Sequence, residues 1–128
     1  MIRGVGIDLL EVDRLAEALE RYGERFEVRV FTDLERRQCA GRRDRVQALA
    51  ARFAAKEACL KALGTGWSQG LSLIQVEIVR TEGGKPELRL HSAAAARAKD
   101  LGVTGMHVSL THQPGAAAAV VMLEGDPS

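Results

Sequence analysis

The 128-residue chain reads as one α+β domain, an antiparallel sheet with a long helix packed on it. Three observations predict this. Helical periodicity dominates the first half and strand alternation the second. One helical pattern, residues 43–63, is longer than any other. The length suits a single hydrophobic core rather than two.

The elements follow in order. "IRGVGIDLL" alternates like a strand, with Val5, Ile7 and Leu9 on one face and Gly4, Gly6 and Asp8 on the other. Residues 11–26 carry a helical pattern. In "FTDLERRQCAG" Thr32 caps a second helix and Glu35 completes a capping box. The 43–63 helix stops at Gly64. "LIQVEIVRT" is a strand, "EGGK" a turn and "PELRL" a returning strand. "SAAAARAKDLG" is a helix with Ser92 as its cap. "MHVSLTHQ", "PG" and "AAAAVVMLE" form a closing hairpin. The domain spans 1–125, and residues 126–128 are a frayed tail. No repeat, linker or charge block interrupts the chain.

Composition excludes several classes. Hydrophobic residues make up 46% and charged residues 27%, as in an ordinary globular domain. The net charge of +1 gives no global footprint for nucleic acid. Most basic residues are Arg, which suits planar recognition of phosphate or carboxylate. Cys39 and Cys59 form no C-x-x-C pair and no disulfide framework, so they read as reduced thiols. The N-terminus meets acids after a few apolar residues, unlike a signal peptide. No apolar run is long enough to span a bilayer. The expected location is the cytoplasm, with no nucleic-acid or membrane partner.

Three charged residues break the patterns around them. Glu57 and Lys61 sit one helical turn apart, which commonly means only a solvated i,i+4 pair. On a wheel of roughly 100° per residue, however, Val46, Ala50, Phe53, Leu60 and Gly64 lie within about 60° of Glu57. That places Glu57 in an apolar stripe with Lys61 beside it. An inward acid must be paired, protonated or bound to a cation. Asp8 shares its strand face with two glycines, which let a backbone or a ligand come close. It can equally serve a strand-end turn or cap the following helix. Two converging carboxylates without Cys or His partners suit a hard cation such as Mg²⁺, completed by waters and substrate phosphates. A lysine one turn away could contact a phosphate or act as a base.

"GVGIDLLEVDR", "FTDLE", "ARFAAKEACLKALGTG", "GKP" and "HVSLTH" occur in that order. Together they resemble the small 4′-phosphopantetheinyl transferases of the holo-[acyl-carrier-protein] synthase family, from the first strand to the last hairpin. The resemblance implies that family's fold, with the sheet and long helix described above. It implies Mg²⁺-dependent transfer of the phosphopantetheine arm of coenzyme A to a serine of apo acyl carrier protein, in fatty acid or polyketide synthesis. The family's metal ligands fall on Asp8 and Glu57. Glu57 and Lys61 carry the catalysis, and whether Glu57, Lys61 or a water takes the serine proton stays open. Cofactor contacts fall on Arg52, Lys61, Gly64, Gly66, Lys85, Pro86, His107, Ser109 and Thr111. Thr111 stands where similar proteins commonly have Ser, and it keeps the hydroxyl. Gly64-Thr65-Gly66 can also be a plain helix end and "GGKP" a plain hairpin turn. The strand "HVSLTH" puts His107, Ser109 and Thr111 on one face and His112 on the other. The resemblance further implies a homotrimer with active sites between subunits.

The first helix carries the expected partner surface. On a wheel over residues 13–26, Arg21 and Arg25 lie within about 20° of Arg14, one on either side. They lie between an apolar stripe (Leu15, Leu19, Tyr22, Phe26) and an acidic one (Asp13, Glu17, Glu20, Glu24). A solvated helix laced by Glu–Arg pairs gives the same pattern. Acyl carrier proteins are acidic, and the resemblance makes these arginines their docking site. A non-catalytic carrier-binding module or another Mg²⁺-dependent phosphoryl enzyme are the competing readings. Retention of Asp8, Glu57 and Lys61 argues against the first of them.

Overall fold

The computed structural model describes residues 1–64 and 70–127. The elements run β1 (Ile2–Glu11), α1 (Val12–Tyr22), α2 (Glu24–Val30), α3 (Asp33–Cys39) and α4 (Arg45–Ala62). A single 3₁₀ turn (Leu73–Gln75) precedes β2 (Val76–Arg80) and β3 (Pro86–Leu90). Then come α5 (Ser92–Asp100), β4 (Gly105–Gln113) and β5 (Ala116–Glu124). The α+β expectation and the closing hairpin are both met. Strands β1, β5 and β4 form an antiparallel sheet with β5 in the middle, while β2 and β3 pair as a separate ribbon.

The long helix α4 lies on the inner face of the three-stranded sheet. Two glycines let it come unusually close. A Cβ on Gly6 would fall 1.8 Å from the Ala58 carbonyl oxygen, and one on Gly4 would fall 2.1 Å from that of Ala62. Strand backbone therefore rests on helix backbone. The helix meets this with small residues: Ala54, Ala55, Ala58 and Ala62 are all buried. From the other strands Ala117, Ala119, Val121 and Leu123 complete the buried layer, with Val108 and Leu110 packed at its edge.

The Thr32 capping box forms as predicted and extends into the core. The Thr32 amide donates to Glu35 Oε1 at 2.8 Å, and the Glu35 amide to Thr32 Oγ1 at 3.3 Å. Glu35 is fully buried. It receives Lys56 Nζ at 2.7 Å on Oε1 and the Ile78 amide at 2.8 Å on Oε2. Lys56 also donates to the carbonyls of Leu73 and Val76. One carboxylate thus ties α3, α4 and β2 together. Removing either partner would strand a buried charge, at a cost of about 3–5 kcal/mol.

Three boundaries differ from expectation. The helix over 11–26 breaks at Gly23, which takes φ 60° and ψ −141°, so the chain changes direction between α1 and α2. The strand expected from residue 73 begins at Val76, after the 3₁₀ turn. Ser92 does not cap α5; its φ is +53°, and the Oε1 of Gln75 accepts from the Ala94 amide at 3.0 Å instead. A side chain distant in sequence has taken the job of the local one.

Candidate active site

Because Gly4 and Gly6 face α4, the alternation of β1 delivers Asp8 to the same side. Its side chain is only 18% exposed. Lys61, near the end of α4, reaches back to it: Nζ lies 3.0 Å from Asp8 Oδ1 and donates to the Ile7 carbonyl, also at 3.0 Å. Glu57 is half-buried one turn before Lys61. Asp8, Glu57 and Lys61 thus belong to one corner of the molecule, where β1 crosses α4. The helix then ends as predicted. The Gly64 amide bonds to the Lys61 carbonyl at 3.0 Å, and Gly64 takes φ +81°. Gly66 lies outside the described residues.

The stripe the wheel predicts is only partly inward: Ala50 and Leu60 are buried, Val46, Phe53 and Glu57 are half-buried, and Lys61 is exposed. Alpha-helix α4 is buried on nearly every side. Val46, Phe53, Glu57 and Lys61 form its most open line, and the fully buried charges are Lys56 and, at 2% exposure, Arg52. An apolar stripe points inward only on a helix that also has a polar side. Arg52, far around the helix from Glu57, is engaged within its own chain. Its Nε donates to the Ile78 carbonyl at 3.2 Å and its Nη2 to Gln38 Oε1 at 3.0 Å, which commits it to β2 and α3. It is not brought to Asp8 and Lys61.

The remaining expected contacts gather elsewhere. Lys85, Pro86 and His107 line one cavity of about 440 Å³ between the β2–β3 ribbon and β4. The His107 ring lies 2.7 Å from Glu124 Oε1, and that contact holds the Glu124 carboxyl below its usual range. His107, Ser109 and Thr111 stand on the outer face of the sheet, away from α4, as the alternation predicted. His112 points the other way, 3.5 Å from Asp44. Register sets the outer face in three rows: Val5–Met122–His107, Ile7–Val120–Ser109 and Leu9–Ala118–Thr111. Ile7 and Leu9 are 68% and 74% exposed there. Within one chain, then, the Asp8–Lys61 corner and the Lys85–His107 cavity lie toward opposite edges of the sheet, with β5 between them.

The break at Gly23 rearranges the arginines. Arg21 from α1 and Arg25 from α2 line a cavity of about 470 Å³ with Tyr22, Phe26 and Arg29. Phe26 stacks on Phe53 with ring centroids 6.5 Å apart, which fixes α2 against α4. Arg14 is exposed on α1 and does not line that cavity. Arg29 lines that cavity too, three residues beyond the end of the wheel over 13–26.

A model of the 4′-phosphopantetheinyl transferase superfamily matches residues 4–121. The chain belongs to this superfamily. A holo-[acyl-carrier-protein] synthase of Desulfovibrio desulfuricans is 50% identical to this transferase over 124 residues, covering 97% of this chain and 98% of that one. Another, from Solidesulfovibrio magneticus, is 50% identical over 125 residues, with 98% and 100% covered. Among solved structures, the Neisseria meningitidis synthase superposes with a TM-score of 0.88 at 31% identity, covering 97% of this chain and 99% of that one. The Bacillus anthracis synthase, solved in complex with CoA (3′,5′-ADP), gives 0.81 at 33% identity, with 98% and 99% covered. The transferase therefore shares its whole architecture, and not only its motifs, with these proteins.

Proposed function

We propose that this transferase moves the 4′-phosphopantetheine arm of coenzyme A onto a serine hydroxyl of an apo acyl carrier protein. Adenosine 3′,5′-bisphosphate leaves, and the holo carrier serves fatty acid or polyketide synthesis. The observation that carries the reading is the Asp8–Lys61 pair beside Glu57, at the point where β1 crosses α4. The likeness to holo-[acyl-carrier-protein] synthases supports it, one of them solved in complex with CoA (3′,5′-ADP).

In the reaction a bond forms between the serine oxygen and phosphorus, and the pyrophosphate bond to the leaving nucleotide breaks. Most of the catalysis is positioning and charge stabilisation. Lys61 already donates to a carboxylate and a carbonyl, so it fits the role of a cation that turns to a phosphoryl oxygen. Glu57, directly or through a water, is then the acceptor of the serine proton. Among the described residues no cluster of three or more His, Cys, Asp or Glu exists to hold a metal. A part-buried pair of carboxylates, Asp8 and Glu57, fits Mg²⁺, which needs only one or two from the protein. Bound there, Mg²⁺ would neutralise charge on the pyrophosphate.

The working unit is a homotrimer in this reading, and two features favour it. Val5, Ile7, Leu9, Val120 and Met122 form an exposed apolar face, more than an isolated chain comfortably shows to water. The cofactor-contact residues also divide between opposite sheet edges, so Lys85, Pro86, His107, Ser109 and Thr111 of one subunit would complete the Asp8 corner of the next. Arg21 and Arg25, with Arg14 further along α1, form the docking surface for the acidic carrier. The cytoplasm is the expected location; no helix among the described residues is long and apolar enough to cross a membrane. Incubation with coenzyme A, Mg²⁺ and apo carrier proteins tests the proposal. Mass spectrometry should show one phosphopantetheine added per carrier, and no addition to any of several carriers would sink it.

A further inference from the structure

Alpha-helix α5 is tied to the chain at Leu63 directly and at Gly70 through Gln75. On the exit side, Arg97 Nε donates to the Leu63 carbonyl at 3.1 Å, a group left without a helical partner at the end of α4. The arginine also places a cation at that helix's C-terminus, where the helix dipole favours one. A Cβ on Gly64 would lie 3.9 Å from Arg97 Nη2, so the guanidinium also stands next to this exposed glycine. On the return side, Gln75 Nε2 donates to the Gly70 carbonyl at 3.0 Å. Gln75 is itself bound to α5 and to the residue that precedes it. Its Oε1 accepts from the Ala94 amide at 3.0 Å, and its carbonyl accepts from the His91 amide at 2.8 Å.

We propose that Arg97 and Gln75 are positioning residues, which fix the exit of α4 at Leu63–Gly64 and the return of the chain at Gly70 against the common frame of α5. The idea rests on the function proposed above. Lys61 stands less than one turn before Leu63, and it is bonded across to β1. The last turn of α4 therefore has two anchors: Lys61 to the strand, and Leu63 to α5. Loosening the second frees Leu63 and Gly64 while the bonds to β1 keep Lys61 beside Asp8, and coenzyme A loses fit while the carrier surface on α1 and α2 stays as it was.

The chemistry of Gln75 provides a clean test. Gln75→Glu keeps the acceptor for the Ala94 amide, so α5 stays capped, and it removes the donor to Gly70. Arg97→Ala removes the donor to Leu63, and Arg97→Lys keeps the charge. Each loss should raise the KM for coenzyme A by about three- to tenfold, the worth of one hydrogen bond. The KM for the carrier should not move, kcat should stay within about twofold by the same reasoning, and Arg97→Lys should partly rescue. Hydrogen exchange in Gln75→Glu should quicken over residues 70–72 and stay unchanged over 92–100. The inference is overturned if the coenzyme A KM stays at the wild-type value, or if the carrier KM rises as much. Quicker exchange without any change in KM also overturns the positioning role. A wild-type protein that fails to use coenzyme A would instead overturn the functional reading. In that case unchanged exchange over 70–72 would still count separately against the clamp.

Discussion

Replacing Gly6 by alanine should damage stability and chemistry together. The added Cβ would sit 1.8 Å from the Ala58 oxygen, 2.8 Å from its carbonyl carbon and 2.9 Å from the Ala62 nitrogen. All three are backbone atoms, so no side chain can swing aside. Relief even to the tightest contact a Cβ tolerates, about 3 Å, requires α4 to retreat from β1 by more than about 1 Å. Overpacking of this kind costs about 1–3 kcal/mol, and more where backbone must move. The same retreat opens the Lys61–Asp8 contact, now 3.0 Å, and shifts Glu57 with the helix. A misplacement of about 1 Å in a catalytic constellation can cost about 10²-fold in rate. Urea unfolding and phosphopantetheine transfer, measured on the same preparation, read the two effects. Gly83→Ala is the control, since its Cβ would meet nothing within 4 Å. If Gly6→Ala unfolded at the wild-type urea concentration and kept wild-type turnover, the backbone contact between β1 and α4 would not be what sets the site.

Lys61→Ala should lower turnover by about 10²-fold or more, as for loss of a charge stabiliser in a desolvated site, and Lys61→Arg should not restore it. Glu57→Gln keeps shape and removes charge, so it should remove transfer at every Mg²⁺ concentration in a steady-state titration. Charge reversal at Arg21, Arg25 or Arg29 should raise the carrier KM far more than the coenzyme A KM. The carrier dependence on salt should weaken with it, because such contacts act through screened attraction. Burial pushes the Cys59 thiol up to about 12, so native protein at pH 8 should resist iodoacetamide at this residue. The unfolded thiol ionises from about 9, so stability should fall by about 1.4 kcal/mol per pH unit from Cys59 alone between there and about 12. Finally, refolding Asp8→Ala together with His107→Ala should return activity that neither variant has. With heterologous interfaces in a trimer about a quarter of the mixed sites are intact, and a mixture as dead as its components would place each site within one chain.

Local chemistry was legible where it is self-contained. The Thr32–Glu35 box, the end of α4 at Gly64 and the Pro114-Gly115 hairpin each need only neighbours in sequence, and all three form. Failures arose where a local pattern was extended past its warrant. Continuity of a wheel over 13–26 assumed that Gly23 stays helical, yet glycine gives up the helix readily and here takes a positive φ. Ser92 looked like a cap, but Gln75 reaches across from a different element and does that work. The buried Glu35–Lys56 pair and the commitment of Arg52 to Ile78 and Gln38 were invisible for a similar reason. Their partners lie 14 to 26 residues away, and only tertiary packing brings them together.

Beta-strand β1 shows why the site and the exposed face arise from one cause. Its alternation puts bulk (Val5, Ile7, Leu9) on one side and Gly4, Gly6 and Asp8 on the other. Hydrophobic burial alone would turn the bulky side inward. The glycine side faces α4 instead, because without a Cβ the strand can lie on helix backbone, and the buried alanines of α4 are small enough to accept it. Two consequences follow from that choice. Asp8 rides the glycine face to Lys61, where an acid with 18% of its side chain exposed acquires a cation instead of water. Val5, Ile7 and Leu9 are left outward at 52%, 68% and 74% exposure, beside Val120 and Met122. A strand that kept its bulk inside would hold α4 off and carry Asp8 away from Lys61. The surface proposed for assembly is therefore the reverse side of the geometry proposed for catalysis, and no residue of β1 can be turned over without losing both.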